Sequence, residues 1–101
     1  MILLIIRMNV LSENRMELSQ AISSLSGFIR IEKGCRSCEV CQSIEDDNRF
    51  FLLEEWDKEE NLAAHLKSEH FRVLRGAMNL LKEPYEMMFH TVFHPAGMEE
   101  I

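Results

Sequence analysis

The run ILLIIRMNV, residues 2–10, is apolar on both alternating faces until Arg7 and Asn9 interrupt one of them. A strand apolar on both sides is covered on both sides, so a central strand is predicted here. Leu18, Ala21, Ile22, Leu25 and Ile29 then recur on one helix face, with Asn14 and Glu17 as a capping pair ahead of them and Gly27 as a place where the helix end frays. From Gly34 the period returns to two, as Cys38, Val40 and Ile44 alternate with Glu39, Ser43 and Glu45. Turn residues EDDN, 45–48, lead into RFFLLEEW, 49–56, and the two segments read as a hairpin. Asp57 with Glu60 caps a short helix carrying Leu62, Ala63 and Leu66. Ser68 opens a longer one with Phe71, Leu74, Met78 and Leu81 on one face, stopped by Pro84. A last strand, 85–93, sets Tyr85, Met87, Phe89, Thr91 and Phe93 against Glu86, Met88, His90 and Val92, with His94 next on that second face.

The order β-α-β-β-α-β is that of the ferredoxin-like split unit, an α+β fold with an antiparallel sheet and helices on one face. One domain over 1–94 with a loose tail, 95–101, is expected, with no repeat at solenoid period. The helices can cover only one sheet face, yet the first, third and fourth strands carry large apolar residues on both. A monomer exposing roughly several hundred Å² of contiguous apolar sheet is atypical. The second face is therefore predicted to pack on the same face of an identical chain around a two-fold axis.

Composition narrows the partners. The chain has 101 residues, 47% of them apolar, and a net charge of −6 with 11 basic residues that are scattered rather than clustered. That distribution offers no footprint for nucleic acid or an anionic membrane. The opening apolar run lacks a basic leader segment and a small-residue cleavage site, and it is too short to span a bilayer. With three cysteines, an odd number, the thiols are expected to be reduced and the protein cytoplasmic.

Those cysteines, Cys35, Cys38 and Cys41, have C-x2-C-x2-C spacing, three quarters of an iron–sulfur ligand set, but Glu45 and Asp46 stand where the fourth cysteine and its proline would follow. On an alternating strand Cys35 and Cys41 face one way and Cys38 the other. No metal site is expected, and the thiols read as small apolar fillers.

Residues 34–74 resemble the antibiotic biosynthesis monooxygenase family of dimeric α+β-barrel proteins. The resemblance rests on Gly34-Cys35 at the second strand, Glu54-Glu55-Trp56, His65 on the following helix and Ser68-Glu69-His70-Phe71. For active members it implies oxygenation without metal or flavin. An electron-rich aromatic is bound between helices and sheet, deprotonated, and donates an electron to O2, while the protein supplies an apolar pocket, a proton acceptor and hydrogen bonds to the anion. The heme-degrading branch of the superfamily is disfavoured, because His65 stands in its tryptophan's place, its ligand histidine falls near Arg75, and only Asn9 matches.

The candidate residues follow. His65 lies three residues after Leu62 at the margin of the apolar stripe, and serves either as a base in a pocket or as a helix-face histidine bonded to Glu54. Trp56 and Glu54 share a strand face. Arg7 and Asn9 are polar where burial is expected and so need partners or a ligand, Asn9 as a hydrogen-bond donor or acceptor to substrate. Phe71 and Met78 line the pocket or the core, and His90 and His94 are read as edge or interface histidines. The expectation is a homodimer that takes a quinol-like or polyphenolic aromatic and uses no cofactor. Two rivals are a non-catalytic small-ligand-binding dimer and an isomerase working in the same pocket.

Overall fold

A computed structural model describes residues 1–92. Strand β1, Ile2–Asn9, precedes helix α1, Arg15–Arg30, and the hairpin of β2, Cys35–Gln42, and β3, Arg49–Trp56. Helices α2, Glu59–Leu66, and α3, Glu69–Ala77, lead to β4, Glu86–Thr91. The four strands form one antiparallel sheet in the order β2-β3-β1-β4, the ferredoxin-like arrangement.

Alternation decides the layers. Leu4, Ile6 and Met8 of β1, with Phe50, Leu52, Glu54 and Trp56 of β3, point under the helices and are buried, joined there by Leu18, Ile22, Leu25 and Ile29 of α1 and Phe71 and Leu74 of α3. Each large apolar side chain so buried contributes about 1.5–3 kcal/mol. Leu3, Ile5, Phe51 and Leu53 point the other way and are only half-buried, so the sheet does present a second apolar face that no helix among the described residues covers.

Several local expectations are corrected. Asn14 stands at the N-cap of α1 but makes no side-chain cap, because a single 3-10 turn at Ser12–Asn14 continues into the helix and its backbone carbonyls take the leading N–H groups. The helix runs three residues past Gly27. Ile44 sits in the hairpin turn, fully exposed. Asp57 does not cap α2. The cap position is Lys58, and Asp57 Oδ1 instead accepts from Asn61 Nδ2 at 2.8 Å. Ser68 does cap α3, accepting from the Phe71 N–H. That helix stops at Ala77, well before Pro84, because Leu81 pairs with Val10 as an isolated bridge and the Lys82 N–H donates to the Asn9 carbonyl, drawing the chain back to the sheet. Phe93, His94 and the expected tail, 95–101, lie outside the described residues.

The most consequential correction concerns the cysteines. A bulge between Cys35 and Ser37 shifts the register so that Cys35 pairs with Trp56 and Cys38 with Glu54. Cys35 and Cys38 therefore share the helix-covered face, and only Cys41, opposite Phe51, points to the open one.

Gly34 turns the chain into β2 with φ of 84°, and its carbonyl accepts the Asp57 N–H. A Cβ there would meet Asn61 and Asp57 atoms at 2.5 Å, whereas one on Gly27 would meet nothing within 4 Å. Gly34→Ala is expected to lower unfolding free energy by roughly 1–3 kcal/mol, and Gly27→Ala to raise it by roughly 0.5–1 kcal/mol. Urea denaturation of the two variants checks both signs; a neutral Gly34→Ala would refute the strain assigned to that turn.

Candidate functional site

The helix-side face of β3 presents an unusual pair, since Glu54 follows the apolar Phe50 and Leu52 and is itself 0% exposed. A buried carboxylate needs partners. Trp56 Nε1, two residues along the same face, donates to Glu54 Oε1 at 2.9 Å. His65 comes down from α2, also buried, with Nε2 2.9 Å from the same oxygen though off the line of an aligned hydrogen bond. Glu54 Oε2 has no partner among the described residues.

The other side of the ring is held too. His65 Nδ1 lies 3.0 and 3.1 Å from the two carboxylate oxygens of Glu32, on the turn between α1 and β2. The turn at Gly34 folds this segment against the start of α2, which is what brings Glu32 within reach. The imidazole stacks on Trp56, ring centroids 4.6 Å apart at 27°, and meets Phe71 of α3 edge-on at 5.3 Å.

A neutral imidazole carries one N–H and could satisfy only one of two carboxylates, whereas the imidazolium donates from both nitrogens. Burial works against the charged ring, but the hydrogen bonding and charge of Glu54, then of Glu32, outweigh it and hold the His65 pKa above its ordinary value. Neither nitrogen is directed into a cavity. Nearby, burial and the Glu54 charge push the Cys35 thiol up to about 11 and Cys38 to about 12, so both are protonated at neutral pH and unreactive as nucleophiles. Among the described residues no group of three or more His, Cys, Asp or Glu is disposed to hold a cation.

Of the residues singled out in the sequence, Glu54, Trp56, His65 and Phe71 come together. Arg7 and Asn9 do not join them. Both lie on the open sheet face, Arg7 paired with Glu86 at 2.6 Å and Asn9 accepting from Arg49 Nε at 3.0 Å. Asn9 instead borders a polar cleft of about 380 Å³ at the far end of β1, with Asp46, Asn48, Arg49 and Lys82. Met78 packs at the core's margin on the 3-10 turn after α3.

A second cleft, of about 260 Å³, opens between α2 and the helix side of β4, lined by Ile2, Leu62, Phe89, His90 and Thr91, with Glu59 at the helix start. It borders the buried cluster, since Ile2 pairs with Trp56 across the strands and Leu62 lies one turn before His65. Sequence reasoning missed Glu32, which has no periodic signal on a turn, and the cleft role of Phe89, whose signal was a large aromatic on the helix side of an edge strand.

His65→Ala would leave Glu54 buried beside its neighbours without a counter-charge, at an expected cost of roughly 3–5 kcal/mol near pH 6. Because the native pKa is raised, the histidine's contribution is full below the unfolded value of 6.5 and is lost as pH rises through the native one. The stability gap between wild type and variant, read by urea denaturation, should narrow above neutrality; a pH-independent gap would count against a charged ring.

The profile of the antibiotic biosynthesis monooxygenase family matches residues 1–77. Among solved structures, a Nitrosomonas europaea protein bearing that family's name superposes with a TM-score of 0.87 at 21% identity, over 93% of this chain and 100% of its own. A conserved protein from Methanosarcina mazei gives 0.83 at 27%, covering 88% and 89%. A Bacteroides thetaiotaomicron protein, described as of unknown function and a possible oxidoreductase, gives 0.76 at 29%, covering 88% and 92%. No curated protein matches. With the family profile spanning most of the strands and all three helices of the fold described above, the chain belongs to the antibiotic biosynthesis monooxygenase family.

Proposed function

We propose that this chain is the subunit of a homodimeric monooxygenase that takes a quinol-like or polyphenolic aromatic into the α2–β4 cleft and oxidises it with O2. The observation that carries the reading is the cleft itself, with apolar Ile2, Leu62 and Phe89 beside polar Thr91 and Glu59. Its size and lining suit one or two fused rings with hydroxyl substituents. In the reaction one oxygen atom enters the ring to give a hydroxyquinone and the other leaves as water, the quinol supplying all the electrons.

Roles divide by location. Glu59 is the cleft's proton acceptor and Phe89 supplies an aromatic wall for stacking, while the His90 side chain, opposite Leu3, faces the open side of the sheet. His65 acts from behind the cleft as a positioning residue, with Glu54, Trp56 and Phe71 around it. Arg7 and Asn9 belong to the dimer face, with the half-buried Leu3, Ile5, Phe51 and Leu53 as its apolar centre. No helix among the described residues is long and apolar enough to cross a membrane, and the three free cysteines suit a reducing cytoplasm.

An oxygen electrode with a panel of benzo- and naphthoquinols tests the reaction. Expected are O2 uptake matched to quinol loss, one atom of 18O2 in the product, and about a tenfold fall in kcat/KM for Phe89→Ala. Thermal shifts by the same quinols with no O2 uptake would instead support a ligand-binding dimer, a reading favoured by the engagement of both His65 nitrogens away from the cleft. For assembly, sedimentation should show a dimer at micromolar concentration and a monomer for Leu53→Glu; a wild-type monomer would overturn the assigned interface.

A further inference from the structure

Helix α2 is eight residues long, far below the length at which a helix is stable by itself. Its seat on the sheet depends on its two buried side chains, Leu62 and His65. Leu62 brings ordinary apolar contact. His65 brings a ring whose two nitrogens lie within 3.1 Å of carboxylates from two other elements, Glu54 of β3 and Glu32 of the α1–β2 turn. A doubly protonated ring presents an N–H to both, whereas a neutral ring turns a lone pair toward one of them.

The other groups around the ring do not replace that proton. From β2 come the Cys35 and Cys38 thiols, both protonated. From α3, His70 approaches Glu32 Oε2 at 3.8 Å and stacks on Phe28, while Arg75 sits 5.4 Å from the Phe71 ring centroid. From α1, Arg30 spends its Nε on the Cys38 carbonyl. Within α2, every charged residue is exposed apart from His65 itself. On loss of the proton, a lone pair would face one of two carboxylates in a buried site where Glu54 Oε2 is already without a partner.

We infer that Glu32, His65 and Glu54 form one proton-dependent clasp that positions α2, and through Glu59 and Leu62 sets the wall of the α2–β4 cleft. The clasp stands on the geometry alone; its consequence for ligand binding rests on the reading of that cleft as the substrate site. Below neutrality the ring is charged and α2 is seated. As pH rises the seat weakens and the cleft loses its wall.

Amide hydrogen exchange of residues 59–66 in the full chain, corrected for intrinsic chemistry and followed from about pH 6 to 9, tests this. Protection of α2 should fall by about tenfold per pH unit above about 6.5, levelling once the native ring titrates. The fall should vanish in His65→Gln and level off at lower pH in Glu32→Gln, whose partly exposed side chain makes it the second variant should the first not fold. The single tryptophan, Trp56, stacked on the ring, gives a parallel fluorescence titration. Equal wild-type protection across that range, or a fall unchanged in Glu32→Gln, overturns the clasp. Loosening of α2 with pH in a protein that consumes no quinol would sustain the clasp while sinking the oxygenase reading; quinol turnover with α2 indifferent to pH would do the reverse.

Discussion

One buried histidine ties the short helix α2 to the sheet. The His65 ring, 1% exposed, stands between the carboxylates of Glu54 and Glu32 and lies flat on Trp56. Desolvating three ionisable groups is costly, and such a cluster is favourable only when each charge meets its opposite with good geometry. Much else follows from that requirement. The positive-φ turn at Gly34 brings Glu32 over α2, the Trp56 N–H shares the Glu54 oxygen, and Phe71 closes the third side of the ring.

The sheet divides its labour by residue parity. Side chains at even positions of β1 and β3 build the core and the buried cluster; those at odd positions build a half-buried face with Leu3, Ile5, Phe51 and Leu53 at its centre and Arg7, Asn9, Arg49 and Glu55 around it. A single register slip would exchange the two, placing Glu54 and Trp56 against solvent and the odd-numbered face under the helices. The bulge before Ser37 is a controlled version of such a slip in β2, confined to its first turn of the ladder, and it brings Cys35 beside Trp56 without disturbing Cys38 opposite Glu54.

Strand positions, the helix faces and the fold class were legible in the sequence because they depend on periods of 2 and 3.6, which local patterns carry. The cluster was half legible. Glu54, Trp56 and His65 stand out as polar or amphipathic groups at positions that alternation or helical spacing turns inward. Glu32 does not, because its place depends on a turn whose direction only Gly34 controls. Arg7 and Asn9 were noticed for the right reason, polarity on a strand that is otherwise apolar, but that reasoning cannot say which of the two faces the helices cover. The end of α3 was misread because helix propensity competes there with a non-local bridge between Val10 and Leu81, a contact invisible to any local window. The bulge in β2 escaped for a related reason: strict alternation was assumed where the ladder admits one extra residue.

The charge on His65 is the claim on which the rest turns, and its ring nitrogens report it directly. Nitrogen-15 chemical shifts of the imidazole, followed through a pH titration of the folded protein, are expected to show both nitrogens protonated at the ordinary midpoint of about 6.5 and to change only at higher pH. A single neutral tautomer at or below that pH would mean that the two carboxylates do not hold an imidazolium, and the account of how α2 is held to the sheet would be wrong.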